Sequence, residues 1–174
     1  GEVWFIPGKH KKESHDELLD LFLKDYFDIV LIINSSKKLL IINTTPDTGI
    51  DTTTIQIKSI GSLTKSVSDW LGDYYEENEL YNKRLVITGN TCIGRGISIQ
   101  SPQCYITHSL FGPEISIKNT SIKRTRMYQL GARICGNIKD FDIYKEKGPP
   151  KVICSHRHFN EICKKSKYIF IYNN

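Results

Sequence analysis

Apolar and polar residues follow one another along the chain in blocks of two kinds. Short and almost entirely apolar runs occur at residues 3–6, 28–34, 85–87 and 152–154. Such runs are typical of strands that are covered on both faces, as in a parallel sheet. Between the first two runs, residues 14–27 carry leucines and aromatic residues at helical spacing. The order strand, helix, strand indicates an α/β fold.

The next part of the chain predicts a hairpin and a long helix. Residues 39–42 form a short strand that pairs locally, and residues 43–54, which are rich in Thr, Asp, Pro and Gly, form a loop. The alternation at residues 55–57 predicts another brief strand. Ser62 then caps a helix over residues 63–80. The predicted buried stripe of this helix consists of Val67, Trp70, Leu71 and Tyr74.

The C-terminal half continues the same alternation of strands and helices. We predict a strand at residues 104–108, a break at Gly112-Pro113 and a helix over residues 121–135. A short helix at residues 159–165 and a last strand at residues 168–172 follow. The predicted fold class is therefore α/β, with a mainly parallel central sheet flanked by helices in three layers.

Length and charge restrict the class of protein. The 174 residues predict a single domain over residues 1–174 with a full core. No apolar run approaches the roughly 18 residues of a membrane span, so we expect no membrane partner. The net charge is +5, and a cluster of cations falls in one region. Its members are Lys118, Lys123, Arg124, Arg126, Arg133 and Lys139. This cluster is either a solvated face or a phosphate-binding patch.

The five cysteines are widely spaced and form no Cys-x-x-Cys pair. This usage predicts a reducing intracellular compartment with incidental thiols. Cys154, His156, His158 and Cys163 invite comparison with a zinc site, but their spacing matches none of the common structural sites. We therefore predict no metal site and interpret them as a surface run beside a helix.

Two segments carry residues suited to phosphate chemistry. A strand ends in the glycine-rich loop 89–96, where backbone N–H groups can approach a phosphate closely. Further on, Gln129 and Arg133 are four residues apart and so project from one face of a helix. An arginine aimed at a transferring phosphate stabilises the charge that develops in the transition state.

These segments resemble two motifs of one protein family. Residues 88–98 resemble motif V of superfamily 2 helicases, and residues 129–136 resemble motif VI, the Gln-x-x-Gly-Arg-x-x-Arg element. Residues 3–8 occupy the place of the motif IV strand and loop. The block 88–139 is most similar to helicases of large nucleocytoplasmic DNA viruses, which are related to herpesvirus origin-binding proteins.

The resemblance implies a RecA-like fold and the second motor domain of an ATP-dependent DNA helicase that acts in viral DNA replication. Arg133 would be the arginine finger, with Gln129 beside it, directed at ATP and Mg²⁺ that are bound mainly by a preceding P-loop domain. The loop residues Gly94, Arg95 and Gly96 would couple the nucleotide to the DNA strand. The implied location is the host cytoplasm or a viral replication site.

The implied DNA contacts lie on both sides of the loop. Thr88 would contact a backbone phosphate. Lys123, Arg124 and Arg126 would bind further phosphates of single-stranded or duplex DNA. Loops after strands also carry Lys9–Lys12 and Lys37-Lys38, which are either solvated or in contact with the nucleic acid backbone.

Motif VI departs from the family pattern at two positions, and the chain lacks the earlier motifs. Ala132 stands where motif VI has glycine, and Gly136 stands where it has a second arginine. The sequence contains neither a Gly-x-x-x-x-Gly-Lys-Ser/Thr loop nor a magnesium-binding acid pair after a strand. We therefore expect a fragment of a larger protein that does not hydrolyse ATP alone.

Two other functional classes remain open at this point. The missing second arginine favours a non-catalytic, nucleic-acid-binding RecA-like module with an origin-binding or scaffolding role. An unrelated nucleotide-binding α/β enzyme is disfavoured, because the chain has neither a P-loop nor a Gly-x-Gly-x-x-Gly turn.

Overall fold

The structure is a computed structural model that describes residues 1–8, 17–19, 26–33, 38–44, 54–59, 65–89, 99–111, 134, 138, 140–156 and 160, with backbone only for 38–44 and 54–59. The strands are β1 (Glu2–Pro7), β2 (Ile29–Ile33), β3 (Lys38–Thr44), β4 (Thr54–Ser59), β5 (Arg84–Gly89), β6 (His108–Phe111) and β7 (Lys151–Cys154). The helices with described bounds are α1 (Val67–Glu77), α2 (Asp142–Lys147) and a 3₁₀ helix at Leu80–Asn82.

The seven strands form one sheet in the order β4-β3-β2-β5-β1-β6-β7. Five neighbouring strands, from β2 to β7 in that order, are all parallel. The pair β3 and β4 extends the sheet on one side with antiparallel pairing. The predicted α/β class with a mainly parallel sheet is confirmed, and so is the predicted hairpin.

Alternate side chains of the strands enter two separate clusters, one on each face of the sheet. On the first, which we call face A, α1 packs with Val67, Leu71 and Tyr74 against the strands. On the second, face B, the helical residues Leu18 and Leu19 pack against the strands. The sheet thus lies between helices on both sides, which is the three-layer arrangement expected and is consistent with a RecA-like fold.

The crossover connections explain why both faces are covered. The chain moves from β1 to β2 in one direction along the sheet, and from β4 to β5 in the other. Two crossovers of the same hand that run in opposite directions must lie on opposite faces. The first connection contributes helical residues to face B, and α1 lies on face A.

Helix α1 begins later than its predicted start. Its N-cap is Ser66, whose Oγ accepts a hydrogen bond from the Asp69 N–H at 3.2 Å. The prediction of Ser62 as the cap of a helix over residues 63–80 is therefore wrong. Serines at both positions can cap a helix, and only the second is followed by an acidic residue that completes the first turn. The helix ends at Glu77, before Glu79 takes a positive φ of 52°.

The strand predicted at residues 104–108 is also corrected. Strand β6 runs from His108 to Phe111, and the apolar residues before it are buried without belonging to the sheet. They follow a turn in which the Ser101 N–H donates to the Cys104 carbonyl at 2.9 Å. Packing on face A buries Ile106 as completely as a position in the sheet would. The apolar composition of residues 104–106 therefore predicted a strand where the backbone is irregular.

Helix α2 was not predicted because it contributes no buried residue and so has no apolar stripe. Of the predicted helix 121–135, the structure describes only Ile134, which is helical. Of the predicted helix 159–165 it describes only Asn160, also helical. The predicted strand 168–172 lies outside the described residues. Among the helices that are described, none has the length and apolar character to span a membrane.

A first prediction concerns Gly72, which faces the turn at Ser101. A Cβ on Gly72 would lie 2.5 Å from Ser101 Oγ, and that oxygen accepts a hydrogen bond from the Cys104 N–H. We expect Gly72→Ala to lower the free energy of unfolding by about 1–3 kcal/mol in urea denaturation, although alanine favours helices.

The cost of Gly72→Ala should be smaller in a Ser101→Ala background, because the closest contact is then absent. The exposed Glu76→Ala serves as the control in the same helix, with an expected change within about 0.5 kcal/mol. A higher free energy of unfolding for the Gly72→Ala variant would contradict the close packing of this turn against α1.

Candidate nucleotide and nucleic-acid edge of the sheet

The glycine-rich loop begins at the middle of the carboxyl edge of the sheet. Strand β5 lies between β1 and β2, and Gly89 is its last residue. The chain after β1 starts beside it, because the Gly8 N–H donates to the Gly89 carbonyl at 3.0 Å. In open parallel sheets, ligands bind in the crevice beyond this edge.

The two neighbouring loops leave this edge towards opposite faces. After β1 the chain contributes Leu18 and Leu19 to face B, whereas after β5 it contributes Ile99 to face A. Neighbouring parallel strands whose following segments lead to opposite faces mark a topological switch point, beside which such sheets bind their ligands. The carboxyl end of β5 therefore lies at this position.

Thr88 is the only predicted site residue within the part of the chain that the structure describes. It lies between Ile6 of β1 and Ile32 of β2 in register, and its side chain is fully buried. Its Oγ1 has no hydrogen-bond partner among the described residues. An unpaired buried hydroxyl lowers the free energy of unfolding by about 1–3 kcal/mol and is rare in folded proteins. Thr88 carries one beside the edge where sheets of this class bind ligands.

The other predicted site residues lie outside the described residues. These are Gly94, Arg95, Gly96, Lys123, Arg124, Arg126, Gln129 and Arg133. The residue after Arg133 is described: Ile134 is helical and completely buried in the face A cluster. The chain is thus anchored to the core immediately after the predicted arginine finger.

A contact of Gln100 with Ile134 was not predicted from the sequence. The Gln100 amide Nε2 donates to the Ile134 carbonyl at 3.0 Å, and the Ile106 N–H donates to Gln100 Oε1 at 3.2 Å. Gln100 follows the glycine-rich loop, and Ile134 adjoins Arg133. A lone glutamine in a polar stretch has no periodicity or motif that would reveal such contacts.

The amino edge of the sheet carries a different group of side chains. The Trp4 and His108 rings are stacked, with centroids 4.5 Å apart and planes at 14°. The Trp4 indole N–H donates to the Glu2 carboxylate at 2.9 Å, and this hydrogen bond lowers the pKa of Glu2. His108 lies beside Lys151 of β7 in register. Partial burial lowers the pKa of His108, although Glu2 opposes the shift.

His108 and Ser109 do not form a nucleophile and base pair. The Ser109 hydroxyl is buried and donates to the Phe5 carbonyl at 2.8 Å. The His108 Nδ1 instead contacts the Thr107 hydroxyl at 2.9 Å. As successive residues of a strand, the two side chains point to opposite faces. The geometry of this pair therefore does not support a hydrolase site.

The cysteine and histidine run after β7 is only partly described. Cys154 is half-buried against the face A cluster and His156 is exposed, while His158 and Cys163 lie outside the described residues. Within the described ranges, no three cysteine, histidine or acidic side chains lie close enough together to hold a metal ion. Cys104 is deeply buried, which raises its thiol pKa to about 12.

Comparison with known proteins adds no assignment. No family model, no curated protein and no solved structure matches the chain. Membership of the superfamily 2 helicases therefore stays a prediction from the motifs at residues 88–98 and 129–136.

A second prediction tests the unpaired hydroxyl of Thr88. Thr88→Val removes the hydroxyl but keeps the branched shape, so we expect the free energy of unfolding to stay unchanged or to rise by about 1 kcal/mol. Ser109→Ala is the matched control, because its buried hydroxyl has a partner, and it should lose about 1 kcal/mol. A Thr88→Val variant that loses as much as Ser109→Ala would show that the hydroxyl is paired.

A third prediction concerns His108. Because its pKa is lowered in the folded chain, the unfolded chain binds more protons below the ordinary value of about 6.5. Stability should therefore fall as the pH drops below about 6.5, until the folded-state pKa is passed. The His108→Gln variant should show a flatter dependence in urea titrations over this window. An NMR titration that places the His108 pKa above the ordinary value would contradict this.

Proposed function

We propose that this chain is the second RecA-like domain of a superfamily 2 type DNA helicase, in which it supplies the arginine finger and the loop that couples the nucleotide to DNA. The observation that carries the proposal is the contact between Gln100 and Ile134. Gln100 lies two residues after the motif V segment 88–98, and Ile134 lies within the motif VI segment 129–136, 34 residues further along the chain. This contact between the two described residues supports the proposal that the segments act together.

The chemistry of the proposed motor divides between two domains. ATP with Mg²⁺ would supply the transferable phosphoryl group and would be held mainly by the preceding P-loop domain. In this chain, Arg133 would stabilise the charge that develops on that group, and Gln129 would orient a water molecule or a phosphate oxygen. The core anchors Ile134 beside Arg133, so the arginine would need little reorganisation to act.

DNA would run along the carboxyl edge of the sheet. The loop residues Gly94, Arg95 and Gly96 follow the central strand there, and Lys123, Arg124 and Arg126 would neutralise phosphates nearby. The buried position of Thr88 means that its hydroxyl can reach a phosphate only after this edge opens. An unpaired hydroxyl is suited to such a role, because it gives up no protein hydrogen bond when it binds the phosphate.

A fourth prediction tests the proposed motor. In the full-length protein, Arg133→Ala should lower DNA-stimulated ATP hydrolysis by about a thousandfold or more while DNA binding is kept. Arg84→Ala is the matched control, because Arg84 lies at the amino edge and pairs with Asp28 at 3.7 Å. Its hydrolysis rate should stay within about twofold of the wild type.

The same measurements on the isolated 174 residues should show no significant hydrolysis. Robust turnover by the isolated chain that is lost on Arg133→Ala would contradict the division between two domains. A full-length Arg133→Ala variant with the wild-type rate would overturn the proposed function.

The alternative is a non-catalytic nucleic-acid-binding module, and Gly136 in place of the second arginine is the observation that favours it. Salt-dependent DNA binding by a full-length protein that hydrolyses no ATP would support this alternative.

A further inference from the structure

Gln100 connects three separate parts of the chain through one side chain. It lies four residues after the glycine-rich loop 89–96, and its neighbour Ile99 is buried in the face A cluster. Its amide donates to the Ile134 carbonyl at 3.0 Å and accepts from the Ile106 N–H at 3.2 Å. A movement of this side chain would therefore displace the backbone at Ile134, the residue next to Arg133.

The two backbone partners determine which way the amide is turned. A backbone N–H can only donate and a backbone carbonyl can only accept, so Oε1 must face Ile106 and Nε2 must face Ile134. A side chain at this position must therefore present one acceptor and one donor at once. Glutamine does so at every pH, leucine does neither, and a carboxylate lacks the donor.

The segment after Gln100 is fixed to the rest of the domain. Ser101 and Cys104 exchange two hydrogen bonds, from the Ser101 N–H to the Cys104 carbonyl and from the Cys104 N–H to Ser101 Oγ. This turn packs against Gly72 of α1, where a Cβ would collide with the Ser101 side chain. The backbone next to Gln100 is thus held by a hydrogen-bonded turn, while the side-chain amide of Gln100 bonds to the helical residue Ile134.

We propose that Gln100 is a positioning residue that holds the helical residue Ile134 in place and thereby orients the neighbouring Arg133. It acts through the Ile134 carbonyl and touches neither the nucleotide nor the DNA itself. The inference rests on the proposed function, since a placement of Arg133 matters only if the arginine serves a phosphoryl transfer. Gln100 would thereby couple the segment after the proposed DNA-binding loop to the helical residue next to the proposed arginine finger.

The experiment compares variants of the full-length protein in DNA-stimulated ATP hydrolysis. Gln100→Leu should lower kcat by about tenfold, because a misplaced catalytic group costs one to two powers of ten in rate. The KM for ATP should stay within about twofold, because the preceding domain holds most of the nucleotide. Gln103→Leu is the matched control: Gln103 is exposed on the same turn, and its variant should keep the wild-type kcat.

A second variant separates positioning from a general loss of stability. Gln100→Glu lacks the donor when ionised, but its protonated carboxyl can both donate to Ile134 and accept from Ile106. The ratio of its kcat to that of the wild type should therefore rise as the pH falls from about 8 to about 6, since partial burial raises a carboxyl pKa. This ratio decides the matter if Gln100→Leu fails to fold in a thermal melt.

The outcomes distinguish this inference from the proposed function. If Arg133→Ala abolishes hydrolysis but Gln100→Leu behaves like Gln103→Leu, the positioning role is wrong and the motor stands. A pH-independent ratio for Gln100→Glu would equally overturn the positioning role. If Arg133→Ala leaves hydrolysis unchanged, the proposed function fails and the role of Gln100 fails with it.

Discussion

The insertion of β5 between β1 and β2 is the constraint on which the rest of the structure depends. Its residues 85–88 have no exposed surface, because parallel strands flank them on both sides and both faces are covered. A one-residue slip of this strand would exchange the side chains of the two faces and so disrupt the packing of both clusters. The strand's register therefore determines where Gly89 ends it, and hence where the glycine-rich loop begins.

Burial also forces each polar group in the core to have a partner, and the partners show how the segments are joined. The Thr107 and Ser109 hydroxyls bond to β1 carbonyls, which fixes β6 against its neighbour. Gln100 bonds to backbone groups of two other segments. The Thr88 hydroxyl has no hydrogen-bond partner within the described part of the chain, and it lies beside the edge where sheets of this class bind ligands. An unpaired hydroxyl at such an edge agrees with a role in binding, and the Thr88→Val variant tests whether the hydroxyl is unpaired.

Much of the sheet could be predicted from the sequence, and the reasons for the misses are specific. Runs such as residues 29–33 predicted buried strands because a strand covered on both faces needs no polar positions. The same logic failed at residues 104–106, because a coil packed on face A buries its side chains just as fully. The start of α1 was missed because two serines compete as caps, and α2 was missed because it buries nothing. The partners of Gln100 could not be predicted, since hydrogen bonds between segments leave no periodic trace in the sequence.

The free energy of the two Gln100 hydrogen bonds can be compared with that of coupling between binding sites. Two hydrogen bonds to backbone groups contribute about 0.5–1.5 kcal/mol each, or about 1–3 kcal/mol together. Coupling free energies between distinct binding sites are of the same size, about 1–3 kcal/mol. A link much weaker than this would not bias the position of the helix at Ile134. A much stronger one would lock it in a single arrangement. The hydrogen bond from Gln100 ties Ile134 to the segment that follows the loop, whereas apolar packing alone would anchor Ile134 only to the core.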